Sequence, residues 1–243
     1  MRREVELNWI LMPIRNGVRF TMRAMPTLLR QDVGKVRVMV LDNASDDGSL
    51  EWLKSCYPRV ITFRKLKPMS VAQSWNKGLE LLFDAAGVDK VLVVNNDVEL
   101  REETYRLLDE HGGGFVTGVG DDNPKCVEGL LGSLETRPHP DFSCYLIRKW
   151  VWDKVGRFDE QFKGAYAEDG DYHLRMHQKG VEAVSLNVPF YHAACGTIKS
   201  AGEEEAEAIR KRADKNRKLF EEKWGCEMGS PEYYELFKAA CPR

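Results

Sequence analysis

The sequence predicts an α/β fold, a mostly parallel central sheet flanked by helices. Apolar runs of strand length alternate with stretches of helical spacing through about the first 120 residues, the order expected of right-handed β-α-β units. The runs at 36–41 and 91–94 are nearly continuous, as in strands covered on both faces. Each then stops on small polar and acidic residues, Asp42-Asn43-Ala44-Ser45-Asp46-Asp47 in one case and Asn95-Asn96-Asp97 in the other. Open α/β sheets bind ligands at the carboxyl ends of their strands, so two acid-tipped strands predict one shared site.

Each element has its own signal. A first strand over 8–14 leaves through a turn-forming set that includes Pro13, Arg15, Asn16 and Gly17, and a helix over 20–29 follows. After the strand at 36–41, Ser49 is placed to cap a helix over 50–56, which Pro58 stops. A short strand over 60–64 precedes a helix over 71–86, where Ala72, Trp75, Leu79, Leu82 and Phe83 share helical spacing. The strand at 90–94 and a polar helix over 102–111 complete this half. Residues 112–141, rich in Gly, Pro and Asp, are expected to be a loop joining two halves. Beyond them the pattern gives a strand over 142–147, a short helix through Trp150 and Val155, a helix from near Asp171 to its C-terminal Gly180, and a strand over 183–188. A charged amphipathic helix over 203–224 turns Ile209, Leu219 and Phe220 inward.

The chain has 243 residues, enough for one substantial core with or without an appendage. A net charge of -2 gives no global field that favours nucleic acid, so an anionic ligand would need a local device: a metal, a helix end or a few basic side chains. The six cysteines (Cys56, Cys126, Cys144, Cys195, Cys226, Cys241) include no C-x-x-C pair, which fits free thiols in a reducing cytoplasm. No stretch approaches the roughly 20 apolar residues of a membrane span. The expected location is cytoplasmic, with peripheral contact at a membrane left open.

Several groups are candidates for chemistry. Asp46, Asp47 and Ser49 are explained as well by turn formation and capping as by a role at the site. Asp42 and Asp97 each abut a buried apolar strand, where an unpaired carboxylate is costly, so a polar ligand or cation is the simpler account. Asp97 with its oxygen-rich neighbours suits Mg²⁺ or Mn²⁺. Glu168, Asp169 and Asp171 crowd three acids before a helix. Matching the helix dipole accounts for such acids, Asp171 above all, but three mutually repelling carboxylates exceed what one cap requires. Crowding also raises at least one pKa and fits a general base. His173 and His177 sit four apart on one helix but lack the Glu after the first His that a zinc-protease pattern requires. His192 follows a strand end and precedes Gly196, Thr197, Lys199 and Ser200, a run with phosphate-compatible donors; structural and ligand roles both stay open for it.

In order along the chain stand Pro13-x-Arg15-Asn16, Leu41-Asp42-Asn43-Ala44-Ser45-Asp46-Asp47-Gly48-Ser49, Trp75-Asn76-Lys77-Gly78, Val94-Asn95-Asn96-Asp97, Val155-Gly156-Arg157-Phe158-Asp159 and Glu168-Asp169-x-Asp171. Over most of its length the chain thereby resembles the GT-A fold glycosyltransferases of family 2, inverting transferases with a Rossmann-like nucleotide-diphospho-sugar transferase fold. The resemblance implies a UDP-, GDP- or dTDP-sugar donor held by Pro13, Arg15, Asn16, Asp42, Asn43, Asn76, Asn95, Asn96 and Asp97, with Asp42 on the nucleotide base. It implies a divalent metal, Mn²⁺ or Mg²⁺, held by Asp97 and reached by His192. Asn95 stands where the family's D-x-D motif has its first acid. Asp169 would be the catalytic base, with Glu168 and Asp171 orienting the base or the acceptor.

The same reading divides the chain into a nucleotide-sugar-binding half (1–120), an acceptor-binding and catalytic half (121–200) and a helical tail (201–243). The acceptor is a glycan or another hydroxyl compound, with nucleic acid not excluded, and the oligomeric state stays open. A sugar-nucleotide nucleotidyltransferase would need a Gly-rich basic loop after the first strand, which Pro13-Ile14-Arg15-Asn16-Gly17 does not supply. A degenerate sugar-binding module would not require Asp169. A hydrolase built on His173 and His177 is a more distant alternative.

Overall fold

The computed structural model describes residues 7–137, 140–193 and 203–238. Nine strands form one sheet in the order β3-β2-β1-β4-β8-β6-β9-β5, with β7 paired to β9. Strands β1 (Leu7–Ile14), β2 (Lys35–Asn43), β3 (Ile61–Lys65) and β4 (Lys90–Val94) are mutually parallel. β6 (Phe115–Asp121) and β9 (Ala183–His192) are parallel to each other, and β8 (Cys144–Arg148) runs antiparallel between β4 and β6. The short β5 (Val98–Glu99) and β7 (Thr136–Arg137) both pair antiparallel with β9. The expected mostly parallel α/β sheet is therefore present, with one reversed strand at its centre.

Apolar alternation explains why both faces are covered. Leu11, Met39, Leu41, Val91 and Val93 belong to one core cluster, and their strand neighbours Ile10, Met12, Val38, Val40, Leu92 and Val94 belong to the other. Helix α1 (Val18–Leu29) covers the second face with Ala24, Met25 and Leu28. Helix α3 (Val71–Leu79) covers the first with Ala72, Trp75 and Leu79, and continues as a π-helical turn over Glu80–Ala85. A capping box starts α3: the Ser70 hydroxyl accepts from Gln73 N while the Gln73 side chain accepts from Ser70 N.

Three expectations change. Residues 112–141 are not simply a loop, because they contain β6, a 3₁₀ turn over Pro124–Val127 and β7. Glycines that read as loop punctuation are instead demanded by close packing. A Cβ on Gly118 would lie 2.6 Å from the Val188 carbonyl oxygen, at the point where the β6–β9 register shifts. Ser49 does not cap α2 (Ser49–Cys56); Gly48, at φ 85°, is the N-cap, and Ser49 is the first helical residue, with its hydroxyl donating to Asp47 at 2.5 Å. The helix expected from Asp171 begins earlier: α6 spans Glu168–Gln178, so all three acids lie in its first turn.

The remaining helices among the described residues are α2, α4 (Thr104–Glu110), α5 (Lys149–Val155), α7 (Glu203–Trp224) and α8 (Pro231–Leu236). Phe220 of α7 is fully buried with Phe162, Ala167, Leu174 and Tyr233, while Leu219 packs against that cluster. No described helix is long and apolar enough to cross a membrane. The described cysteines Cys56, Cys126, Cys144 and Cys226 are free.

Candidate active site

Strand order sets the location. Chain order reverses between β1 and β4, the kind of switch point at which α/β sheets open a crevice. Pairing of β1 with β4 stops at Leu11↔Val93 while pairing with β2 continues to Ile14↔Asp42, so the sheet parts on the β4 side of Pro13. Asn16, left-handed at φ 57°, joins the three strand ends that meet there. Its N–H donates to Ser45 Oγ at 2.9 Å, its Oδ1 accepts from Asp46 N at 2.9 Å, and its carbonyl accepts from Asn96 Nδ2 at 3.0 Å. Asp47 adds a fourth tie by accepting from Val18 N at 2.8 Å. Burial opposes ionisation of Asp47, but the Ser49 hydroxyl and the N–H groups of Val18 and Ser49 outweigh it and hold the carboxyl below its ordinary value.

The crevice is a cleft of about 700 Å³. Of the residues expected at the site, Pro13, Arg15, Asn43, Asn95, Asn96, Asp97, Glu168, Asp169 and His192 line it. Asn16, Asp42, Asn76 and Asp171 do not. Asn16 acts from behind the wall as the hub just described. Asp42 has no exposed surface; its Oδ1 accepts from Ser45 N at 3.0 Å, and its Oδ2 lies 3.4 Å from Arg64 Nε without a hydrogen-bond partner. Such a buried acceptor is a costly vacancy that a ligand N–H could fill if the half-exposed Arg64 moved.

Two amides expected on the donor are committed to the fold. Asn43 Nδ2 donates to Met69 O at 2.9 Å and its Oδ1 accepts from Met69 N at 2.6 Å, so it fastens the cleft wall before α3 while still lining the cleft. Asn76 is buried, and its amide spans Phe158 O, Phe158 N and Glu160 Oε1, each at 2.9 Å. Asn76 thereby supports the Gly156-Arg157-Phe158-Asp159 turn.

On one wall, Asp97 Oδ1 stands 3.5 Å from His192 Nε2, and Ser143 Oγ lies 3.2 Å from His192 Nδ1. Ser143 also donates through its hydroxyl to Asp141, whose other oxygen accepts from Gly120 N at 3.1 Å. The imidazole is thereby oriented on both sides. Asp141 was missed from the sequence, because it sits among loop-forming residues and only the fold brings it under β6 and beside β8. Among the described residues no group of three or more His, Cys, Asp or Glu side chains is arranged to hold a metal ion. Asp97 and His192 offer two suitable donors, an oxygen and a nitrogen, to an ion that takes its other ligands from phosphate and water. The 196–200 run lies outside the described residues.

The carboxylate pair forms another wall. Burial, reinforced by the Asp169 charge, pushes the Glu168 carboxyl up to about 8. Asp169 is raised chiefly by burial, against the pull of backbone N–H groups, with the Asp141 charge adding to the rise. Both carboxyls are thus raised, so the pair holds a proton to higher pH than two free carboxylates would. Tyr166 (φ 79°) and Ala167 (φ 74°) precede the pair in left-handed conformations that non-glycine residues adopt at a cost. Asn216 of α7 holds this turn. It accepts from Lys163 N at 3.1 Å and donates to the carbonyls of Lys163, Ala165 and Tyr166, each at 3.0 Å.

Asp171 anchors α6 to α7. Fully buried, it accepts from Arg175 Nε at 2.9 Å, Trp224 Nε1 at 3.0 Å and Lys223 Nζ at 2.7 Å. Lys223 also reaches Asp159 at 2.7 Å, so α7 is pinned to α6 and to the turn before it. His173 and His177 both pack against Phe237. His173 packs on Phe237 with ring centres 4.3 Å apart and faces Tyr233 Oη at 3.5 Å, and His177 packs on the same Phe237 at 5.2 Å. Arg212 and Ile209 of α7 also line the cleft, and for Arg212 the sequence carried no signal beyond helical spacing.

No protein-family model matches the chain, and no curated protein matches it in sequence. Solved structures do match in fold. The mannosyltransferase PcManGT from Pyrobaculum calidifontis, in complex with GDP-Man and Mn²⁺, is 15% identical, with a TM-score of 0.63 over 98% of this chain and 69% of that one. S. aureus TarS 1–349 is 16% identical, with a TM-score of 0.59 over 96% of this chain and 78% of that one. The same TarS segment in complex with UDP is 16% identical, with a TM-score of 0.57 over 95% and 69%. This chain is thus similar in fold to solved glycosyltransferase structures, with the mixed α/β sheet that its strand pattern predicts.

Proposed function

We propose that the protein transfers a sugar from a nucleotide-diphosphate sugar to an acceptor hydroxyl with inversion, as a GT-A enzyme of the family 2 type. One observation carries the reading: the Glu168–Asp169 pair, raised in pKa, lines the same cleft as Asp97 and His192 at the switch point of the sheet. The similarity in fold to a structure holding GDP-Man and Mn²⁺, and to another holding UDP, supports a nucleotide-sugar donor.

In this proposal the donor lies along the carboxyl ends of β1, β2 and β4. Asp42 Oδ2 receives an N–H of the nucleotide base, and Arg15, Asn95 and Asn96 flank the donor. Asp97 and His192 would hold Mn²⁺ or Mg²⁺ together with the diphosphate. When bound, the ion would neutralise charge on the departing diphosphate. Asp169 takes the proton of the acceptor hydroxyl as its oxygen bonds to the anomeric carbon; the bond from that carbon to the phosphate oxygen breaks on the opposite side, which inverts the configuration. Glu168, protonated at neutral pH, leaves Asp169 to act as base and offers a hydrogen bond that orients the acceptor. Residues 1–120 serve the donor, 121–200 the acceptor and 201–243 support both. The acceptor is a glycan or another hydroxyl compound, and a cytoplasmic location, free or at a membrane surface, belongs to the same proposal.

Turnover of radiolabelled UDP-, GDP- and dTDP-sugars, read as transfer or slow hydrolysis with Mn²⁺, tests it. Asp169→Asn is expected to lower the rate roughly 100- to 10,000-fold, the usual worth of a general base. Undiminished turnover in that variant contradicts the assignment.

A further inference from the structure

The wall built by the 163–166 turn and α7 has properties that donor binding does not use. Tyr166 presents an aromatic ring, 38% exposed, into the cleft from a strained left-handed backbone, two residues before Glu168. A bulky residue persists in that conformation only when the surroundings impose it, and Asn216 does so through the Lys163, Ala165 and Tyr166 backbone. Two cations line the same wall. Lys163 Nζ donates to Glu160 O at 2.6 Å and Arg212 Nε to Ala208 O at 3.1 Å, contacts that use one of three ammonium donors and one of five guanidinium donors. The Arg212 stem crosses Gly164, where a Cβ would stand 3.3 Å from Arg212 Cδ and where φ is 77°. Any larger residue at 164 would be strained and would crowd the arginine.

Resting on the glycosyl-transfer reading, we propose that Tyr166, Lys163 and Arg212 form an acceptor subsite for a sugar ring that carries an anionic group. The ring stacks on Tyr166 beside the base, and a phosphate or carboxylate sits between Lys163 and Arg212. An apolar ring face with a polar edge suits a pyranose, and a guanidinium fork suits either anion.

Saturation-transfer NMR on the full chain with glucose, glucose 6-phosphate and glucuronate tests the proposal by binding rather than turnover. At least one anionic probe is expected to bind roughly tenfold more tightly than glucose, consistent with one or two charge-assisted hydrogen bonds, and the tighter of the two identifies the anion. Arg212→Glu and Lys163→Glu should erase that difference while UDP and GDP affinities stay unchanged. Tyr166→Ala should weaken all three sugars, and Tyr166→Phe should restore them, with circular dichroism confirming folding. Equal binding of all three probes overturns the proposal. So does a loss of UDP or GDP affinity in Arg212→Glu, which would assign the cations to the donor. Failure of the transfer reading itself appears differently, as wild-type protein that binds none of UDP, GDP and dTDP.

Discussion

Asn216 Nδ2 donates to the Tyr166 carbonyl at 3.0 Å, so a side chain of α7 fixes the turn from which the Glu168–Asp169 pair begins. Replacing Asn216 by Ala leaves three carbonyls and one N–H without their partner. Unsatisfied buried groups cost about 1–3 kcal/mol, and in a domain of this size each kcal/mol lowers Tm by roughly 2–4 °C. The left-handed residues then relax and move the base. Asn216→Ala should accordingly lower kcat far more than it raises the KM for donor. A parallel loss of nucleotide affinity would show that α7 serves the whole cleft instead.

Glu168 makes stability depend on pH in a defined direction. Between its ordinary value of 4.5 and about 8, the folded protein keeps a proton that the unfolded chain has released. Stability should therefore fall as pH rises through that window, and the effect should be complete above it. Glu168→Gln removes the penalty and should stabilise the protein at pH 8 by on the order of a few kcal/mol, with little change at pH 4. Urea unfolding at both pH values measures it, and equal shifts would deny the raised carboxyl. Asp169 is raised mainly by burial with help from Asp141, so Asp141→Asn should move the acid limb of the rate profile to lower pH.

Asp171 is expected to matter for folding rather than chemistry. Asp171→Ala removes the carboxylate partner of Arg175 and one of the two carboxylates that hold Lys223, and should cost about 3 kcal/mol, read as a lowered denaturant midpoint. If the variant instead kept wild-type stability and lost acceptor affinity, the anchoring role would be wrong.

Much of this was legible in the residues. The continuous runs at 36–41 and 91–94 are continuous because both sheet faces are covered, and their acid tips converge because β1 lies between β2 and β4. What escaped was set by tertiary contact. Gly118 reads as a loop residue until the Val188 carbonyl is seen against it, and β6 was lost with it. Asp171 and Asn76 carry the polarity of site residues, but partners distant in sequence, Trp224 and Phe158, claim them. Asn216 acts through backbone groups and Asp141 through Ser143 and Gly120 N, contacts for which sequence has no spacing rule.

The central claim is that the cleft at the β1–β4 switch point holds a nucleotide sugar with the help of Asp97, His192 and Asp42. A thermal-shift series with UDP-, GDP- and dTDP-sugars, each with and without Mn²⁺, tests it most directly. A ligand at 100 times its Kd adds about 2.7 kcal/mol, which corresponds to a rise in Tm of roughly 5–10 °C. The expected result is such a rise for one nucleotide with Mn²⁺, lost in Asp97→Ala, and with altered preference among bases in Asp42→Asn. No shift with any of the three, or an undiminished shift in Asp97→Ala, would contradict it.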